Sequence, residues 1–283
     1  MSGTSPQGHP ALLRPVFMLA AAICAVPLAA GQELQYPLSV AAADDQGPYV
    51  ADLNLPGVWK HTAEGWQPLF AGSKQFRTPL HRPRCAALDR PGRLLVGDSA
   101  TRDVYRLGED GTPPPLTQGG IGVPMDLAVS ETGEVFVSDL ELHCIWRFPS
   151  EGGVPEKLAD VPAPRGLALD RQGRLLVVSH GERPVLRVDA AGKVEPVLSQ
   201  APFQFPHDLV LAEDEGLIVS DGYAKTLWKV SPQGEATAWI QGEPLVNPVG
   251  LAWYGQTLLV ADPHARAVFQ VDAEGKLRPF GTK

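Results

Sequence analysis

"PRGLALDRQGRLLVVS" (164–179) is two short apolar runs around a polar turn, and the chain repeats that frame along its length. It returns as "PLSVAAADDQGPYVAD" (37–52), "PRCAALDRPGRLLVGD" (83–98), "PMDLAVSETGEVFVSD" (124–139), "PHDLVLAEDEGLIVSD" (206–221) and "PVGLAWYGQTLLVAD" (248–262). Each copy opens on proline, turns at Gly or Asp, and ends mostly on Asp. Short apolar runs punctuated by Gly and Pro are strands joined by tight turns. The opening prolines lie 46, 41, 40, 42 and 42 residues apart, so six similar units occupy Tyr36 to Lys283.

Outside the quoted frames the units continue alike. Six residues after the terminal Asp position a third strand opens, at Val58, Val104, Ile145, Val185, Leu227 and Val268. A glycine turn and a short fourth strand follow, as in "TAWIQ" (237–241). A single sheet of this size exposes two apolar faces and cannot stand alone; sheets stacked around an axis bury both. The expected fold is all-β, a six-bladed β-propeller of four-stranded antiparallel blades over residues 32–283. The blades fall at about 36–80, 81–122, 123–162, 163–204, 205–246 and 247–283.

The unit P-x-G-L-A-x-D…G-x-L-L-V-x-D…V-x-R-V…G resembles the NHL repeat across essentially all of residues 36–283, which implies a six-bladed propeller. That architecture carries binding modules and enzymes alike, so function has to be argued from the site.

Residues 1–31 stand apart from the repeat. Arg14 precedes the apolar run "PVFMLAAAICAVPLAA" (15–30), which ends in small residues: the layout of an export leader. The run carries two prolines and falls short of the ~20 residues a membrane span needs. Its removal leaves an exported protein, secreted or periplasmic, with no membrane anchor. Of 24 basic residues 23 remain against 32 acidic ones, a net charge of −9. An acidic surface repels phosphate backbones and argues against nucleic acid as partner. Cys85 and Cys144 also remain; they read as buried small apolar residues or as one disulfide.

Repetition separates architecture from function: a residue the blade needs recurs in every blade, whereas a ligand needs its contact only once. Asp52, Asp98, Asp139, Asp221 and Asp262 recur, so they are expected to tie loop backbone and pair with the basic residues that stand four positions after this place, Arg102, His143, Arg183, Lys225 and Arg266. Trp59, Tyr105, Trp146, Trp228 and Phe269 recur as packing between blades. The residues directly after the prolines do not repeat: Leu38, Arg84, Met125, Arg165, His207 and Val249 are expected to ring the channel mouth. The next positions, Ser39, Cys85, Asp126, Gly166, Asp208 and Gly250, are mostly small, and Asp126 and Asp208 read as structural. Blade four breaks the pattern with Ser179–His180 where the others carry Asp, and Tyr223 sits on the adjoining loop. Arg84, Arg165, His180, His207 and Tyr223 are therefore the ligand-binding candidates. A cationic mouth on an acidic protein points to a small anionic ligand, or to a peptide or protein partner, bound by a monomer.

Two enzyme resemblances bear on the same ring. Blade six, "NPVGLAW" (247–253), is similar to a segment of gluconolactonase/regucalcin-like propellers, which implies a divalent metal held by Glu, Asn and Asp. The post-proline ring carries none of these, although Asp126, Asp208 and Asn247 stand close by. "PHDLVL" (206–211) with "VSDGY" (219–223) resembles peptidyl-amidoglycolate lyase propellers, which implies a zinc ligand at His207 and a catalytic base at Tyr223. Zinc wants three or more protein ligands, and one ring histidine is too few. The expectation is a binding module with no catalytic residues assigned and no cofactor. The alternative is a metal-dependent hydrolase or lactonase of the gluconolactonase-like class with a diverged site.

Overall fold

The computed structural model describes Met1 and residues 33–281, apart from 44–45, 76–77, 90–91, 109–112, 199–201 and 273; the expected leader therefore lies outside the described residues, save for Met1. The described residues form six antiparallel sheets and no α-helix. Five sheets have four strands in simple up-and-down order. The six innermost strands are Pro37–Ala41, Pro83–Leu88, Pro124–Val129, Pro164–Leu169, Pro206–Leu211 and Gly250–Tyr254. Each neighbours the next around the axis, and the sixth neighbours the first, so the ring is closed.

Blade two departs from the expected four strands. Its sheet holds Pro83–Leu88, Leu94–Asp98 and Asp103–Leu107, and the outer strand shrinks to one bridge between Tyr105 and Pro115. The cause is local: Pro113, Pro114 and Pro115 have no N–H with which to continue a ladder.

The core is six cores. Each seam between neighbouring blades buries its own apolar cluster, and the period of two along a strand divides residues between seams. Leu175 and Val177 face blade three, whereas Leu176 and Val178 face blade five. Ile218 turns to blade six while Leu217 and Val219 turn back to blade four. Second strands such as Leu175–Ser179 and Leu217–Asp221 are buried along their whole length because both faces are covered. Trp59, Tyr105, Trp146, Trp228 and Phe269 each enter one seam, as expected of packing residues. Cys85 and Cys144 are free thiols, both buried.

No strand is shared between the two ends of the chain: blade one is Pro37–Ala41 to Gly65–Ala71, and blade six is Gly250–Tyr254 to Leu277–Pro279. Their seam closes without a shared ladder: Leu34, Val40, Val50 and Trp59 pack against Leu259, Ala261 and Val268, and the Tyr36 hydroxyl meets His264 Nε2 at 3.3 Å.

Candidate functional site

The recurring aspartates build the loops above the channel. Asp221 accepts amides of Gln204 (2.7 Å), Phe205 (2.9 Å) and Ala224 (3.1 Å). Asp52, Asp98, Asp139 and Asp262 do the same for the segments that enter their own blades. The ion pair expected with the basic residue four positions on does not form. Arg102 pairs with Glu141 at 3.0 Å, and His143 Nδ1 accepts the Ala163 amide at 3.0 Å. Arg102, His143, Lys225 and Arg266 share a left-handed backbone, with φ of 61°, 52°, 51° and 55°, so the position recurs as a turn and not as a counter-ion.

Blade four explains its own exception. The first amide the aspartate would accept belongs there to Pro162, which has none. Ser179 replaces it: its hydroxyl donates to the Pro162 carbonyl at 2.6 Å and accepts the Gly181 amide at 3.0 Å.

The six post-proline residues do surround one cavity, of about 60 Å³, at the channel mouth. Five of the six that follow them, all but the buried Cys85, line it as well, and the six alternate. Ser39, Asp126 and Asp208 carry an acceptor, whereas Cys85, Gly166 and Gly250 are small. The acceptors reach forward to the next blade: Ser39 Oγ accepts the Ala86 amide (3.1 Å), Asp126 Oδ2 that of Leu167 (2.7 Å) and Asp208 Oδ2 that of Leu251 (2.7 Å). Gly166 is small because blade five leaves no room: a Cβ there would stand 2.5 Å from the Asp208 Cα and closer still to its Oδ1.

Asp126 and Asp208 also hydrogen-bond to each other. Burial pushes both carboxyls up, Asp126 to about 7 and Asp208, with Asp126 beside it, well above the usual carboxylate range. The pair thus retains a proton at neutral pH, because two bare carboxylates in contact repel and neither is hydrated.

Arg84 and Arg165 line the same cavity. Neither makes an ion pair among the described residues, and the Nε of each is buried without a hydrogen-bond partner. Burial followed by the nearby Arg84 lowers Arg165 to about 10; burial also lowers Arg84. His207 completes the ring. Burial, then Arg165, His180 and Arg84, depress it to about 3, so it is a neutral imidazole at working pH.

The five candidates divide. Arg84, Arg165 and His207 line the cavity. His180 and Tyr223 do not; they gather with His207 around a residue that the sequence reading missed. The Phe205 ring lies 4.2 Å from that of His180, 5.0 Å from His207 and 4.4 Å from Tyr223, the last stacked at 15°. The Arg165 guanidinium lies 5.0 Å from the Phe205 centroid. His180 Nε2 donates to the Pro206 carbonyl at 2.6 Å, which ties blade four to blade five. A signal for Phe205 existed: one place before the prolines, Tyr36, Arg82, Val123, Ala163, Phe205 and Asn247 do not repeat either.

The donor set does not suit a metal. Asp126 and Asp208 spend oxygens on backbone amides and share a proton, with two guanidiniums above them. His207 has one histidine near it, His180, at 6.5 Å between ring centroids and already bonded to Pro206. Among the described residues no three His, Cys, Asp or Glu side chains converge as a cation would need.

No protein-family model matches the chain, and no curated protein matches it. Solved structures do. A gluconolactonase from Xanthomonas campestris is similar at 17% identity and a TM-score of 0.71, over 84% of this chain and 86% of that one. Virginiamycin B lyase from Staphylococcus aureus is similar at 15% identity and a TM-score of 0.67, over 89% and 88%. A chain of a nidogen/laminin complex is similar at 18% identity and a TM-score of 0.65, over 87% and 91%. A gluconolactonase, a lyase and a chain of a nidogen/laminin complex share this shape, so the likeness establishes the chain as a six-bladed propeller and leaves its chemistry to the site.

Proposed function

We propose that the protein is an exported binding module that holds a small carboxylate-bearing ligand, or the carboxylate end of a peptide, at the mouth of the propeller channel. The observation that carries this is the pairing of Arg84 and Arg165. Two guanidiniums without ion pairs face one cavity, over a pair of acids that burial keeps from ionising fully. A desolvated cation with an unfilled donor is costly to a fold and useful to an anion, since charge-assisted bonds to guanidinium are strong and directional. Neutral His207 adds a hydrogen-bonding group without charge. The lactonase alternative draws on the shared fold; it is the less favoured reading because no three metal-ligating side chains converge among the described residues.

The test is calorimetry with acetate, succinate and phosphate. Arg84→Met with Arg165→Met should weaken anion binding at least tenfold, while raising stability by about 1–2 kcal/mol, because buried unpaired cations give way to apolar side chains of similar length. Unchanged anion affinity in that variant would remove the proposal.

A further inference from the structure

The cavity is too small for most acids. At about 60 Å³ it falls well short of the roughly 150 Å³ that takes up a benzene ring, so it has room for a carboxylate and not for the body of a larger acid. Whatever bears the carboxylate must therefore lie outside, across the rim. The rim offers a specific surface there. Phe205 touches Arg165 on the cavity side and stacks flat on Tyr223 on the outer side. Tyr223 itself is 68% exposed, unlike Trp59, Tyr105 and Phe269, which are buried between blades. Guanidinium, phenyl and phenol thus form a continuous shelf leading out of the cavity along the seam of blades four and five.

We infer that the ligand is an aromatic or otherwise flat carboxylic acid. Its carboxylate sits between Arg84 and Arg165, and its ring lies along the Phe205–Tyr223 shelf. This rests on the anion site proposed above and names the chemistry of the part that does not fit inside it. A π-face at the shelf meets an aromatic edge or face at the spacing such rings prefer, and a flat ring covers Tyr223 with little loss of rotational freedom.

Acetate, cyclohexanecarboxylate and benzoate separate the two claims. Calorimetry on the full chain should give benzoate about five- to tenfold tighter binding than acetate, with cyclohexanecarboxylate between them. Tyr223→Ala should bring benzoate to the level of acetate and leave acetate and the melting temperature unchanged; Tyr223→Phe should keep the preference. Equal affinities for acetate and benzoate, or a Tyr223→Ala variant that retains the benzoate preference or weakens both acids alike, would overturn the aromatic assignment. In each of those cases acetate binding that still depends on Arg84 and Arg165 leaves the anion site standing. Failure of every acid to bind would sink both.

Discussion

Two kinds of seam alternate around this wheel. From odd to even blades the contact near the axis is polar. Asp126 and Ser138 of blade three bond the Leu167 amide (2.7 Å) and the Arg165 carbonyl (2.5 Å) of blade four. Asp208 and Ser220 of blade five bond the Leu251 amide (2.7 Å) and the Val249 carbonyl (2.7 Å) of blade six. The seam between blades four and five has no such pair of staples. It is drawn close by the missing side chain of Gly166, tied by His180 to Pro206, and filled at the mouth by Phe205, His180, His207 and Tyr223. The stapled seams satisfy their own polar groups. The four–five seam leaves Tyr223 exposed and the Arg165 guanidinium facing the cavity without an ion pair, which is where the proposed ligand would bind.

The harshest way to break this contrast is Gly166→Ala. A Cβ would press on the Asp208 backbone, which cannot rotate away, so the four–five seam must open. The expected loss is about 4 kcal/mol or more, read from the urea midpoint. A loss below about 1 kcal/mol would mean that the seam is not held by close approach.

Next comes the stapled side. Asp126 is protonated in the fold up to about pH 7, against a usual value near 3.8. Its raised value means the native state binds more protons than the unfolded chain, so stability falls as pH rises from about 4 to about 7. Asp126→Asn keeps an acceptor for the Leu167 amide and a donor for Asp208 while removing the titration. It should stabilise by about 2–4 kcal/mol at pH 8 and change little at pH 4. An equal effect at both values would place the cause in packing and not in the shared proton.

The smallest effect sharpens the comparison at blade four. Ser179→Asp installs the recurring cap where Pro162 offers a carbonyl in place of an amide. It should cost about 1–2 kcal/mol, and Pro162→Gly in the same chain should recover part of that in a double-mutant cycle. Additive losses would show that the serine answers to something other than the proline.

The wheel itself was legible because strand, turn and capping aspartate recur at a fixed period, and five inner strands begin at the repeating proline. The ring of Arg84, Arg165 and His207 was legible for the converse reason, as non-repeating residues at a repeating position. Three things were not. Phe205 sits one place before the aligned frame and so escaped it. Each aspartate is tied mainly to backbone amides, with the Trp146 indole added at Asp139, and sequence does not distinguish these from a nearby arginine. The alternation Ser39, Cys85, Asp126, Gly166, Asp208, Gly250 lay in plain view, but its meaning depends on neighbouring blades approaching within hydrogen-bond range, and spacing along one chain says nothing of that.

The first and last sheets share no strand ladder and meet through side-chain packing and contacts such as that of Tyr36 with His264, 228 positions apart. Every sheet is finished by its own stretch of polypeptide, so assembly can advance one module at a time with mostly local pairing. The entropy of closing so long a loop falls on a single docking event, and it grows only with the logarithm of the loop. New ends could be opened in any connection between modules without cutting a sheet, which makes this wheel well suited to circular permutation.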